Sequence, residues 1–399
     1  MLLFAESHSA PQKMKGSKFF AAICLAGLVA GTVFVFSVWG FVSSPDDRDA
    51  APASPAPLDY LKSRPFDAIG HLALSESLAS TASDASLTLR TRALSAAAFL
   101  APTDPQIVRA AAALAFSQGD VPGALNNLAR LAEVSPNDRF EAFDALSKFV
   151  THPAWREFAA ARLRAGWNES DEFLVALCNR PSSSRHSLAV ATHFAKYRPI
   201  APGASHCVEN RAIASGQVQA AYQLRLNGAK TLPTRIGYVF NGDFELPPSG
   251  SAFDWAVESG GEFREGFVAA IRPELGSEKL SRVLSVRFTG RPIRSPIARQ
   301  VLALPTARYQ LSYLSKLAVP MAQKALVWTL TCVDSGTPVI VEKWSDASEK
   351  GGWTRHSVPF VVGDKCAGQV LSLDPKSKLV ALEGLQGTLL IDEVRVEKQ

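Results

Sequence analysis

Four cysteines are the first residues in this chain with a chemistry to assign: Cys178, Cys207, Cys332 and Cys366. A fifth, Cys24, lies in an uncharged run and reads as a small apolar filler. An even number of thiols outside that run favours disulfides over free nucleophiles. Four cysteines allow three pairings. The two pairs that each stay within one stretch of chain are Cys178 with Cys207 and Cys332 with Cys366. Zinc would compete for the thiols, but no Cys-x-x-Cys or clustered histidine supports it. His206 adjoins Cys207, yet sequence neighbours seldom face each other as a thiol–imidazole dyad must. Glu258, Glu262 and Glu265 follow Trp255 and would suit a glycosidase pair, and charged surface loops explain them equally well. No Gly-x-Ser-x-Gly elbow, His-Glu-x-x-His or Walker loop occurs, so an enzyme is the minority reading.

The elements that must position these residues begin with a span. From Phe19 to Ser44 there is no charged residue, and roughly 20 apolar residues in a helix cross a bilayer core. Lys13, Lys15 and Lys18 precede the run, whereas Asp46, Asp47 and Asp49 follow it. Positive charge stays inside, so residues 1–18 are expected as a cytoplasmic tail and 19–44 as an uncleaved anchor in a bacterial inner membrane. The rest is then expected in the periplasm. Residues 45–57, rich in Pro and Ala, read as an extended linker. A chain of 399 residues, 47% hydrophobic and 20% charged, has material for two further cores. The net charge of +5 forms no basic block, which argues against nucleic acid.

From 58 to 230 the composition turns to Ala, Leu and Arg, as expected of an all-α segment. Residues 94–102 align with residues 128–136 at an offset of 34, the period of a helix–turn–helix repeat. Ala111, Ala112 and Ala115, the Gly119-Asp120 turn, and Ala124, Leu128 and Leu131 resemble one complete tetratricopeptide unit. The pattern fades after Asn137. Such a solenoid takes peptides or proteins on its concave face; a plain bundle acting as a spacer is the alternative.

From 235 to 399, alternating runs such as VLSVRFTG, ALVWTLTCVD, QVLSLDP and KLVALEG are separated by Gly, Pro, Asp and Ser, which predicts an all-β sandwich. The opening VFNGDFE, the Phe253-Asp254-Trp255 after it and the closing LIDEVRV resemble the first and last strands of jelly-roll carbohydrate-binding modules with a galactose-binding-like fold. That resemblance implies a structural calcium, with Asp243, Glu245 and Asp392 as oxygen ligands. Surface acids at strand ends are the alternative. It also implies aromatic sugar contacts, for which Trp344 and Trp353 among turn residues are the candidates; a packed sheet edge is the alternative for both. Phe244, Trp255 and Trp328 read as core anchors. The expected fold class is therefore multidomain: a transmembrane helix, a tetratricopeptide-like all-α domain and a jelly-roll sandwich. The expected function is a non-catalytic accessory or scaffold in cell-envelope polysaccharide assembly or export. Its helical repeats would meet assembly proteins and its sandwich would meet sugar or protein. A polysaccharide hydrolase or lyase, or an adaptor without sugar binding, is the alternative.

Overall fold

Side-chain caps start several of the helices, among them Asp67, Ser83, Asp104 and Asp120. The computed structural model describes residues 56–80, 83–181, 184–229, 237–258, 266–275, 280–293, 296–319, 326–343, 352–375 and 377–399. Two compact units divide the chain, one reaching to Leu146 and one from Ser147 to Gln399.

The first unit contains α1 (Pro57–Ser63), α2 (Ala68–Ser77), α3 (Asp84–Leu100), α4 (Pro105–Ser117), α5 (Val121–Val134) and α6 (Arg139–Ser147), whose last residue belongs to the second. Asp104 caps α4 by accepting from the Gln106 amide at 2.8 Å, and Asp120 caps α5 by accepting from the Gly123 amide at 2.9 Å. Pro105 and Pro122 sit in the first turns, where a missing N–H costs nothing. Gly119, at φ 72°, ends α4. The Asp120 and Gly119 amides bond back to Ala115 and Phe116, the paired closure that a left-handed glycine permits. The resulting α4–α5 hairpin buries Ala112, Ala124, Ala129 and Ala132, which let the helices approach closely. The offset of 34 read from the sequence is the distance between the ends of α3 and α5.

The second unit begins with α7 (Pro153–Arg164), α8 (Ser170–Asn179), α9 (Ser187–Phe194), α10 (Pro202–Ala214) and α11 (Val218–Ala229). Pro153 and Pro202 open their helices. Gly166 and Gly216 repeat the closure seen at Gly119. Trp155, Phe158, Trp167, Phe173 and Phe194 form the core of the first three of these helices, with Trp155 and Phe173 centroids 5.4 Å apart. The Cys178–Cys207 disulfide ties α8 to α10.

Among the described residues ten strands follow: β1 (Ala256–Val257), β2 (Phe267–Leu275), β3 (Leu280–Thr289), β4 (Ala298–Leu302), β5 (Ala307–Val319), β6 (Leu326–Cys332), β7 (Pro338–Lys343), β8 (Thr354–Val362), β9 (Gln369–Pro375) and β10 (Gln386–Lys398). They form two five-stranded antiparallel sheets, ordered β1-β4-β9-β6-β7 and β2-β3-β10-β5-β8. Phe244, Trp255, Trp328, Tyr309 and Tyr313 fill the space between them. The Cys332–Cys366 disulfide staples the end of β6 to the β8–β9 turn.

Two segments read as strands are otherwise. Residues 378–383, in KLVALEG, form a short helix, α12 (Lys378–Glu383), because Ser377 caps it and Gly384 closes it at φ 74°. The opening VFNGDFE is a tight turn: Asn241 and Phe244 take φ near 54°, and the Asn241 amide closes on both backbone groups of Leu246. Gly242 presses against β10, where a Cβ would meet the Val394 carbonyl.

One expectation is corrected outright. No helix among the described residues is long and apolar enough to cross a membrane, which overturns the single-pass inner-membrane localisation with periplasmic domains. The run 19–44 that motivated it, like the tail 1–18 and the linker 45–55, lies outside the described residues.

Candidate functional site

The alternation of β4 sets one wall of a cleft. Ala298, Gln300 and Leu302 point into the sandwich and Arg299 points out. The buried Gln300 amide donates to the Phe240 carbonyl at 2.8 Å and accepts from its amide at 3.2 Å, which fixes the segment leading into the sandwich. Beyond it, residues 249–254 form a loop held from within by Asp254, which accepts from the Ser249 and Trp255 amides at 2.8 and 2.7 Å.

Helices α10 and α11 pack on that loop. Glu209, fully buried on α10, accepts from the Ser205 hydroxyl at 2.7 Å and from the Ser251 hydroxyl at 2.5 Å. Arg225 of α11 lies 4.8 Å above the Phe240 ring and donates to the Ser249 hydroxyl. Tyr222 packs on Phe253 with ring centroids 5.2 Å apart. Gln219 donates to the Ala367 carbonyl, and Gly368 faces Val218 so closely that a Cβ would come within 2.5 Å of its methyls. Burial holds the His206 imidazole below its ordinary pKa; Glu209 opposes this, Arg225 adds to it, and Asp254 opposes it.

Between α10 and β4 these contacts leave a cleft of about 350 Å³, small for a ligand site. Its polar lining comes from Asn210, Ser251, Arg299 and Gln300, and its floor from Ala252, Ala256, Val301 and Val370 beside the edge of Trp255. The register aligns Arg299 with Ser372 of β9 and Ser372 with Thr329 of β6, so one polar row runs from the cleft across the sheet. The Thr329 and Ser372 hydroxyls both donate to Asp374, at 2.7 and 2.5 Å.

The residues singled out from the sequence lie elsewhere. Trp353 is half-buried just before β8 and is absent from the cleft lining, while Trp344 lies outside the described residues. Of the acids suggested for calcium, Asp243 is exposed, Glu245 accepts from the Arg282 amide at 3.3 Å, and Asp392 is buried at a bulge in β10. Among the described residues no three His, Cys, Asp or Glu side chains form a group able to hold a metal ion. The Asp392 carboxyl is raised to about 6: burial disfavours its charge, hydrogen bonds from the Glu393 amide and Ser281 oppose that, and Glu393 and Glu245 reinforce it. Cys207 is in a disulfide, so the His206 neighbour has no thiol to activate. Glu258 is exposed, and Glu262 and Glu265 lie outside the described residues. A Ser315–His356 contact of 2.8 Å, with Tyr313 stacked on the imidazole, is sealed in the sandwich core. Asn210, Arg299 and Gln300 were not anticipated; a lone amide inside the apolar alternation of IARQVL was the one available signal.

The chain matches no family model, and no curated protein matches it. Among solved structures it is similar to a family 4 carbohydrate-binding module, at 16% identity and a TM-score of 0.28 over 40% of this chain and 99% of that one. It is also similar to a xylan-binding family 22 module from Paenibacillus barcinonensis, at 14% identity and a TM-score of 0.28 over 39% of this chain and 91% of that one. A tetratricopeptide protein with an unusual peptide-binding site shares 14% identity at a TM-score of 0.25, over 46% and 95% of the two chains. At these TM-scores the likenesses carry no argument about fold or function.

Proposed function

We propose that this chain is a non-catalytic binding protein, an accessory in polysaccharide assembly, whose sandwich holds a glycan segment and whose helices meet protein partners. The observation that supports it is the cleft between α10 and β4. Its floor of small apolar side chains suits the face of a pyranose ring, and its polar rim suits hydroxyls. The row of Arg299, Ser372, Thr329 and Asp374 would extend contact to a neighbouring sugar, since adjacent strands lie about 4.8 Å apart. Trp353, just before β8, and Trp344 belong to this proposal as a second, stacking contact. A structural calcium on Asp243, Glu245 and Asp392 is a separate proposal, tested by whether calcium raises the melting temperature over EGTA.

The test is calorimetric titration of the full chain with a panel of oligosaccharides, with product analysis on the same samples. Ala256 is exposed at the cleft, so Ala256→Trp should fill it, abolish binding there and leave the melting temperature nearly unchanged. Binding that survives Ala256→Trp but is lost in Trp353→Ala would move the site to the tryptophan. Released oligosaccharide products would establish the hydrolase or lyase alternative.

A further inference from the structure

We propose that the cleft selects a carboxylate-bearing sugar, a hexuronate, through Arg299; this rests on the glycan reading of the same cleft. The polar lining divides into groups already used by the protein and groups left for a ligand. The Ser251 hydroxyl donates to Glu209 and accepts from the Phe253 amide. The Gln300 amide is used in both senses by the Phe240 backbone. The Asn210 and Arg299 side chains remain, and among the described residues neither has a hydrogen-bonding or ionic partner.

Charge points the same way. Among the described residues, Arg299 is the one charged residue lining the cleft. Of the acids nearby, Glu258 is exposed beyond β1 and is absent from the cleft lining, and three others are turned to other partners. Asp374, on the same sheet face, accepts from two hydroxyls. Glu209 and Asp254 lie buried behind the wall, bonded to Ser205 and Ser251 and to two backbone amides respectively. A free guanidinium and a free amide, with no acid among the described lining residues, favour an acceptor-rich anion, and the planar fork of arginine matches a carboxylate in two parallel hydrogen bonds. The backbone of Arg299 is held between Ala256 of β1 and Ser372 of β9, so the side chain starts from a rigid strand. Val301 and Val370 offer the adjoining apolar floor. A hexuronate carries both halves of that pattern, a ring face and a carboxylate at its edge. A peptide C-terminus offers the anion and one side chain, without the ring hydroxyls that the Asn210 amide can meet.

The experiment titrates the full chain with oligomers of glucuronate, galacturonate and mannuronate, with the same oligomers after reduction of their carboxyls to neutral sugars, and with a peptide ending in either a carboxylate or an amide. At least one acidic oligomer should bind, its reduced form should bind about 10-fold or more weakly, and Arg299→Gln should lose a similar factor, as a hydrogen-bonded charge does. Arg299→Lys should fall between, because it keeps the charge and loses the fork. Arg299 is exposed, so an unchanged melting temperature is expected and separates lost recognition from lost fold. Equal binding of acidic and reduced oligomers, unaffected by Arg299→Gln, would overturn the selectivity and leave glycan binding standing. Binding of the carboxylate peptide alone, or of none of these probes, would overturn both.

Discussion

Asp392 is where burial and charge conflict most openly. A carboxyl whose folded pKa lies near 6, against an ordinary value of 3.8, stabilises the fold fully at pH values below 3.8 and loses that contribution as the pH rises through 6. At about 1.4 kcal/mol per unit, the second unit should lose about 2 to 3 kcal/mol from this group between pH 4 and 7. His356 works in the opposite sense. Burial holds its pKa below 6.5, so its contribution is complete above 6.5 and declines as the pH falls. The two overlap in one window, and Asp392→Asn should separate them. Urea midpoints at pH 4 and 7 should show the variant gaining stability toward pH 7 relative to the parent. Identical pH dependence in both proteins would remove the argument.

At the scale of elements, three helices end in the same way, with Gly119, Gly166 and Gly216 at positive φ and open space where a Cβ would stand. Replacing any one with Ala therefore meets backbone strain and no clash, and should cost about 1 to 2 kcal/mol. A near-zero change in urea midpoint for all three would contradict the left-handed closures. Cys332 and Cys366 hold β6 against the β8–β9 turn, and the double Ser variant should lose about 2 to 5 kcal/mol. Thermal melts of the two proteins, each with and without dithiothreitol, check it: the variant should melt lower without reductant, and the two should melt nearly together once reductant has also opened Cys178–Cys207 in both. The Gly119 closure and the two staples were legible because each depends on a local residue type, a glycine after a helix or a cysteine that pairs within its own stretch; Gly166 and Gly216 lie where the repeat pattern had faded. The 378–383 helix was not legible, since six residues alternate by chance as readily as by design and only Ser377 and Gly384 decide it. The cleft was illegible for another reason. Asn210 and Arg299 stand far apart in sequence, and no periodicity within either segment reports that α10 and β4 share a wall.

At the scale of the molecule, the change from helix to strand falls inside the second compact unit, and the helices before it are bonded to the sandwich through Glu209, Gln219, Tyr222 and Arg225. A fragment of 147–399 should therefore unfold in one transition. One of 237–399 should melt lower or aggregate, because Phe240 and Phe253 lose the covers supplied by Arg225 and Tyr222. A sandwich fragment as stable as the longer one would show that the helices are only neighbours. The two disulfides also have a mechanical consequence. Each closes a loop, of sequence separation 29 and 34, that tension applied at the chain ends cannot reach. Stretched to rupture, the second unit should release a contour short by about 100 Å for the first loop and about 120 Å for the second, at roughly 3.5 Å per residue, and recover that length only after a thiol is supplied. Glu209 and Ser251 lie outside both loops, so the hydrogen bond between them carries the load that the disulfides keep from the residues they enclose.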